Sequence, residues 1–309
     1  MEPGGGMPGI LRRRHDTGGA QPAGTPCRAW HDRRMSPTPM HRPPRRPHAW
    51  IAALALSQLA VVFIFWRWGW RWGLPAMVGS HVPFWWATLK ADSRLFSPVL
   101  RRLPTDARQV WLTIDDGPSA DTATMLDLLD RHRARATFFV VGDRAQRAPE
   151  LLREIVRRGH TLGNHSATHP QAWFWALGPA RMRAEIARTQ ATLRTITGQA
   201  PRWFRAVVGM ANPFVSAPLR EHGLARVAWT ARGFDALAAD PQRVVSRITR
   251  DLAPGAIILM HEGSRHGRNV EALALLLRQL DEHGYATVLP EEIEANVATV
   301  PDAAQVPTV

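Results

Sequence analysis

Between Gln109 and Ile293 two kinds of segment alternate, and that alternation limits the folds open to the chain. Short apolar runs rich in β-branched and aromatic residues (VWLTI, ATFFVV, HTLG, WFRAV, ARVAW, AIILM and YATVL) are mostly separated by helix-like stretches. These run from Thr122 to His132, Pro149 to Arg158, Pro179 to Thr197, Pro241 to Leu252 and Asn269 to His283, with a shorter one from Pro213 to His222. Strand-then-helix repetition implies a parallel sheet, because each crossover brings the chain back to the same sheet end. About seven such units predict an α/β domain, either a barrel or a wound sheet, and in both the working residues belong at the C-terminal ends of the strands.

Three stretches put polar chemistry at those ends. In WLTIDDGP, Trp111 to Pro118, an apolar strand delivers Asp115 and Asp116 into a Gly-Pro turn. Successive strand residues point to opposite sides, so the two carboxylates should diverge and take different work in one pocket. The octet alone fits a solvated turn equally well. In GNHSATHP, Gly163 to Pro170, His165 and His169 stand four apart. On one helical turn both imidazoles would leave the same face, the geometry of two ligands on one metal, and a strand-end carboxylate would complete a three-ligand site with a position open to water. The run AIILMHEG ends in His261, again at a strand end. His132, His160, His222, His266 and His283 read as ordinary core or surface residues. Convergence of the three stretches on one pocket is what separates a site from three unrelated turns.

These residues resemble the NodB-homology polysaccharide deacetylases, carbohydrate esterase family 4, over Gln109 to Ile293. TIDDGP is similar to the family's first motif, which implies Asp115 as catalytic base and Asp116 as metal ligand; HSATH is similar to the second, which implies His165 and His169 as the other ligands. FRAVVG, Phe204 to Gly209, resembles the third motif, whose arginine, here Arg205, holds the base. Leu259 and His261 match the Leu-x-His motif that supplies an apolar wall and the general acid. The fold implied is a distorted (β/α)7 barrel, and the cofactor one divalent metal ion, zinc foremost, with Co2+, Ni2+ or Fe2+ as alternatives. Two departures stand out. Ala206, Val207 and Val208 occupy places where the third motif usually carries prolines and an aromatic residue, which keeps a backbone N–H at Val208 for an oxyanion but changes the wall that faces the sugar. Trp229 and Asp235 only loosely echo the fourth motif, in which an aspartate tunes the acid, here His261.

The N-terminal part has another character. Residues 1 to 48 are rich in Pro, Gly and Arg, carry nine arginines against three acids, and supply +6 of the net charge of +13. Such a tail should be disordered. It lacks the interleaved aromatics of a base-stacking surface, and no nucleic acid is expected as a partner. Met35 and Met40 are possible internal starts. The single cysteine, Cys27, lies in this tail, so an intramolecular disulfide and a cysteine-based zinc site are both excluded. Ala49 to Trp66 is chargeless, about as long as a bilayer is thick, and followed by Trp68, Trp70 and Trp72 at the level of an aromatic belt. Residues 49–72 therefore read as a membrane anchor with its arginine-rich tail in the cytoplasm. Residues 73–108 hold a second apolar segment, Gly73 to Leu89, and a linker. If that segment only lies at the interface, the catalytic domain, 109–293, faces away from the cytoplasm; if it spans, the two segments form a hairpin and the domain faces the cytoplasm. The first arrangement is the expectation, and 294–309 form a C-terminal tail.

The reading is a membrane-anchored, metal-dependent hydrolase that removes an N-acyl group, acetyl by the resemblance, from an amino sugar of a cell-envelope glycan. A lipid-linked amino sugar is the alternative substrate. A non-catalytic carbohydrate-binding protein on the same fold is the alternative of another class.

Overall fold

The computed structural model describes residues 40–299. Most of the basic tail, with Cys27 and Met35, lies outside them, as do residues 300–309.

The chain begins with two helices, α1 (Ala49–Trp68) and α2 (Trp70–Leu89). Between them Gly69, at φ 74, supplies the left-handed backbone of the turn. Gln58 Nε2 donates to Ser80 Oγ at 3.1 Å, and the Phe65 ring fills the space of a Gly73 side chain. Both contacts are symmetric about Gly69, so α2 returns antiparallel along α1. The second apolar segment is thus a continuous helix, despite Pro75 and Pro83 within it. By length and composition α1 can cross a membrane, with a mean hydropathy of 2.1 over its apolar window. The basic stretch before α1 reaches into the structure: Met40 is buried and His41 packs edge-on against Trp203 at 5.4 Å. An apolar anchor thus orders residues that composition assigned to the disordered tail.

After the edge strand β1 (Val99–Leu100) the alternation begins. It runs β2 (Gln109–Gly117), α3 (Thr122–Arg131), β3 (Ala136–Val140), α4 (Gly142–Arg147), α5 (Pro149–Arg157), β4 (Thr161–Asn164), α6 (Pro179–Thr197) and β5 (Trp203–Phe204). Then follow α7 (Ser216–Glu221), β6 (Ala225–Val227), β7 (Ala231–Arg232), α8 (Pro241–Arg250), β8 (Ile257–His261), α9 (Asn269–Glu282), β9 (Ala286–Thr287) and α10 (Pro290–Thr299). Each of the seven apolar runs contains a strand. The two-residue strands β1 and β7 and the short helix α4 have too few residues to display a period.

All described pairings within the sheet are parallel, in the order β1-β6-β5-β4-β3-β2-β8-β7, with β9 pairing to the start of β2. Trp111 on β2 and Trp203 on β5 have ring centroids 5.2 Å apart although two strands separate theirs. A flat sheet would hold them about 14 Å apart, three strand spacings, so the sheet curls around them. It does not close, since β1 and β7 are unpaired with each other among the described residues. The fold is therefore an unclosed barrel, and the distortion implied by the resemblance is the gap between β1 and β7.

Alternation along β8 shows how the layers form. Ile257, Leu259 and His261 face the barrel interior, where Ile257 joins Trp111, Phe139, Trp203 and Val227. Ile258 and Met260 face outward onto the helices, packing with Leu126, Leu273, Leu276 and Val244. Each such fully buried side chain stabilises by about 1.5–3 kcal/mol before entropy is counted. A third cluster joins Ala87 of α2 and Phe96 to Phe174, Phe204, Ala206 and Val207. It fuses the base of the hairpin to one wall of the barrel.

Candidate active site

Asp115 is still in the ladder, opposite Phe139 on β3 and His261 on β8. A bulge follows it, and Asp116 has φ 72. Strict alternation would send Asp116 to the helix layer, and the left-handed turn brings it back. The two carboxylates therefore converge where the sequence led us to expect divergence: His165 Nε2 lies 3.8 Å from Asp115 Oδ2 and 3.5 Å from Asp116 Oδ1. The turn beyond them is held by Glu262, which accepts from Ser119 N at 3.1 Å and Ser119 Oγ at 2.7 Å, and from Thr122 Oγ1. Its other oxygen lies 2.1 Å from where a Cβ on Gly117 would sit, so a larger residue there would have to displace the Glu262 carboxylate. Burial raises the Glu262 pKa. Nothing in its sequence position beyond adjacency to His261 marked it.

His165 and His169 do not share a helical turn. They lie in an irregular loop after β4, with Ser166 at φ 68 and His169 at φ 51. Glu185 of α6 braces this loop, accepting from Ala167 N at 2.9 Å, Thr168 N at 2.8 Å and Thr168 Oγ1 at 2.7 Å. The result still points both rings at one place, with centroids 5.1 Å apart and His169 Nε2 2.9 Å from Asp116 Oδ1. The acid that shapes the loop was missed because it sits 16 residues beyond His169, inside a helix whose periodicity gave it no distinction.

One ligand atom from each of Asp116, His165 and His169 lies within 4.8 Å of the other two. Asp116 Oδ1 is buried and accepts no hydrogen bond. His165 Nδ1 bonds to the Arg205 carbonyl at 2.9 Å, which turns Nε2 to the cluster. Burial works against the Asp116 charge, but the two imidazoles outweigh it and hold this carboxyl far below the usual carboxylate range. Three lone-pair atoms converging on one point, one of them orphaned, fit a cation with one carboxylate and two imidazole ligands.

Arg205 is fully buried. Its Nη1 donates to Asp115 Oδ1 at 2.7 Å and Thr113 Oγ1 at 2.7 Å, and its guanidinium lies 4.2 Å over the Phe139 ring and 5.7 Å over Trp229. Burial lowers its pKa, opposed by Asp115; an arginine so paired stays charged. Across the space, Asp235 accepts from His261 N at 2.6 Å and bonds His261 Nδ1 at 2.9 Å. It is itself held by Asn269 at 3.2 Å. Burial pushes the His261 pKa down, but Asp235, and after it Asp115 and Asp116, push it up to about 9. Leu259 lies beneath His261 on the same strand face, and Trp229 stands between Arg205 and Gly209. Val208 is 43% exposed at φ 49, ψ 17, a strained conformation for a β-branched residue. All ten candidate residues therefore line one region at the C-terminal strand ends, the loosely matched Asp235 as firmly as the rest. His160, read as an ordinary core residue, is buried, accepts from Ala136 N, and has its pKa lowered to about 4 by burial.

A cluster fit for a cation, a carboxylate paired with a buried arginine and an imidazole held by a second carboxylate, all at neighbouring strand ends, form the equipment of a hydrolase for unreactive acyl bonds. The sequence profile of polysaccharide deacetylases matches residues 102–227. A chitooligosaccharide deacetylase from a Bradyrhizobium species is 35% identical over 192 residues, covering 58% of this chain and 87% of that protein. A peptidoglycan-N-acetylglucosamine deacetylase from Bacillus cereus is 29% identical over 209 residues, covering 67% and 73%. Among solved structures, a family 4 carbohydrate esterase from Streptomyces lividans in complex with acetate superposes with a TM-score of 0.55 at 32% identity, over 60% of this chain and 96% of that one. The chain belongs to the NodB-homology polysaccharide deacetylases, carbohydrate esterase family 4. It is an enzyme of that class, a hydrolase of carbon–nitrogen bonds other than peptide bonds.

Proposed function

We propose that the protein is a membrane-anchored, metal-dependent N-deacylase of an amino sugar of the cell envelope, with acetyl as the acyl group. The observation that carries the proposal is the orphaned Asp116 oxygen among His165 and His169, with Asp115 and His261 facing the same space. Asp116, His165 and His169 would hold one divalent ion, zinc foremost with Co2+, Ni2+ or Fe2+ as alternatives, which would supply Lewis acidity and ease the loss of a proton from water. Asp115, next to that space, takes the proton of the attacking water. Arg205 fixes the Asp115 carboxylate in place and keeps a compensating charge beside it. A C–O bond forms at the acyl carbon and the C–N bond breaks. His261 gives its proton to the departing nitrogen, which cannot leave as an amide anion, and Asp235 on Nδ1 keeps Nε2 aimed at the pocket. The Val208 N–H faces the developing oxyanion, Leu259 walls the acyl methyl, and Trp229 flanks the sugar. The products are a carboxylate and a free amino sugar.

The two helices form an antiparallel hairpin in which α1 alone, among the described residues, is long and apolar enough to cross a membrane by composition; α2, packed along it, would return the chain to the side it came from. With an arginine-rich tail before it, this supports the second of the two topologies drawn from the sequence, in which the domain faces the cytoplasm. The two relatives are a chitooligosaccharide deacetylase and a peptidoglycan-N-acetylglucosamine deacetylase, and the amino-sugar specificity is taken from them.

Purified full-length protein loaded with zinc should release acetate from N-acetylglucosamine oligomers. Asp115→Asn should keep one metal per chain and lose about 10²–10⁴-fold in kcat, the usual contribution of a positioned proton acceptor. His165→Ala with His169→Ala should lose the metal. Wild-type turnover in Asp115→Asn would remove that residue from the role of base, and undiminished metal in the double variant would move the metal site elsewhere.

A further inference from the structure

Large apolar side chains lie exposed in few places. Among the described residues they occupy the hairpin, from Ile51 to Leu89, its exit at Leu95, and four further positions: Trp173 (66% exposed), Val208, Phe234 and Leu237 (81%). Each of these four is within four residues of a member of the site, namely His169, Arg205 or Asp235. Solvent-facing apolar area on a soluble domain is normally scattered; confined to a hairpin and a catalytic rim, it marks a surface with a function.

The hairpin touches that rim at two places. Trp85 on α2 packs at a tilt against Trp175, ring centroids 6.4 Å apart, two residues from Trp173 and six from His169. Asn212 pins that segment, donating to the Trp175 carbonyl at 3.1 Å and the Leu177 carbonyl at 2.7 Å. On the other flank Ala91, two residues past α2, lies 2.7 Å from where a Cβ on Gly209 would sit, so the hairpin's exit leans on the turn that carries Val208. At the base of α1, Trp50 packs edge-on against Phe214 at 5.5 Å. The base of the hairpin is thus built into the wall of the active site, and what holds α1 and α2 also holds the site's mouth.

From these contacts and the exposed apolar rim we infer that the substrate is an amphiphile: an N-acyl amino sugar carried on a lipid that stays in the bilayer, its apolar chain leaving past the exposed rim side chains while the sugar enters the pocket. This rests on the N-deacylase reading and narrows its substrate from envelope amino sugars in general to lipid-linked ones. A soluble or wall-bound polymer has no use for exposed Leu237, which offers no flat face to a pyranose, or for a mouth fixed at the membrane surface. Phe234 is held for contact rather than folded away: it keeps φ 63 and lies 4.0 Å under the Arg232 guanidinium.

The test uses full-length, zinc-loaded protein in phospholipid nanodiscs. Its two probes are N-acetylglucosamine on a hexadecyl chain placed in the disc, and soluble N-acetylchitotetraose. The lipid-borne sugar should be deacetylated with a kcat/KM at least about tenfold higher, a gain that burial of about two methylenes already supplies. Trp173→Ser with Leu237→Ser should cut that ratio by a similar factor, while thermal unfolding and bound zinc show that the fold persists. Equal kcat/KM for the two probes, preference for the tetramer, or a ratio that survives the double replacement would each overturn the inference and leave the deacylase intact. No deacetylation of either probe would overturn the deacylase reading and this inference with it.

Discussion

Asp235 shows how a side chain outside the reaction can set its pH range. Its carboxylate is the leading influence that raises the His261 pKa, against burial, to about 9. The ring must be protonated to donate, so activity falls as pH rises through that value. Asp235→Asn removes the raising charge; the His261 pKa drops, and the alkaline limb of the kcat/KM profile should move to lower pH. Above the limb, each unit of movement lowers the protonated fraction about tenfold. A bound divalent cation acts on both proteins alike, so comparison of their pH profiles isolates Asp235; an unmoved limb would detach it from the acid. The motif residues Asp115, Asp116, His165, His169 and His261 were legible because their types and spacing are constrained by the chemistry itself. Asp235 was faint, and Glu262 and Glu185 were invisible, because a hydrogen-bonding brace can come from any element that passes nearby. Its place is set by tertiary contact, which a single sequence does not print.

At the scale of elements, strands and helices could be read from their periods, and the local conformations that aim the ligands could not. The expected helical turn under His165 and His169 is a loop with two left-handed residues, and the expected divergence of Asp115 and Asp116 is undone by a bulge. Both are places where a non-glycine backbone sits at positive φ, a conformation that costs about 1–3 kcal/mol each and persists only where surroundings enforce it. In the histidine loop Glu185 is that enforcement, through three hydrogen bonds from Ala167 and Thr168. Glu185→Ala should therefore free the loop without removing a ligand. Zinc affinity in competition with a chelating dye is expected to fall about 10–100-fold, the usual cost of losing a group that orients metal ligands. Far-UV circular dichroism should stay unchanged, because α6 keeps Met182, Ile186 and Leu193 in the core. Unaltered affinity would mean that the loop holds its shape unaided.

For the whole molecule, the deciding feature is that α1 and α2 are two limbs of one hairpin. The sequence left this open, because Pro75, Pro83 and His81 make α2 a poor span by composition. Proline is tolerated in a membrane helix when a neighbour covers the disturbed backbone, and α1 lies alongside to do so. Among the described residues α1 alone is long and apolar enough to cross a membrane by composition; in the proposed topology the two limbs, each about 30 Å of helix, would cross together with the tip at Gly69 flanked by Trp66, Trp68, Trp70 and Trp72. A hairpin leaves the tail and the barrel on one side of the membrane, whereas a single span would separate them. The native Cys27 in the tail and a cysteine placed on the barrel's exposed helix face by Ser246→Cys, with Cys27 replaced by serine in that variant, report the two sides independently. A membrane-impermeant maleimide should label neither in intact spheroplasts and both after permeabilisation. Labelling of the barrel cysteine alone in intact cells would mean one span, and would move the site to the face where polymeric glycan is made. Protection of both would leave lipid-linked sugars on the cytoplasmic leaflet as the amino sugars within reach of the active site.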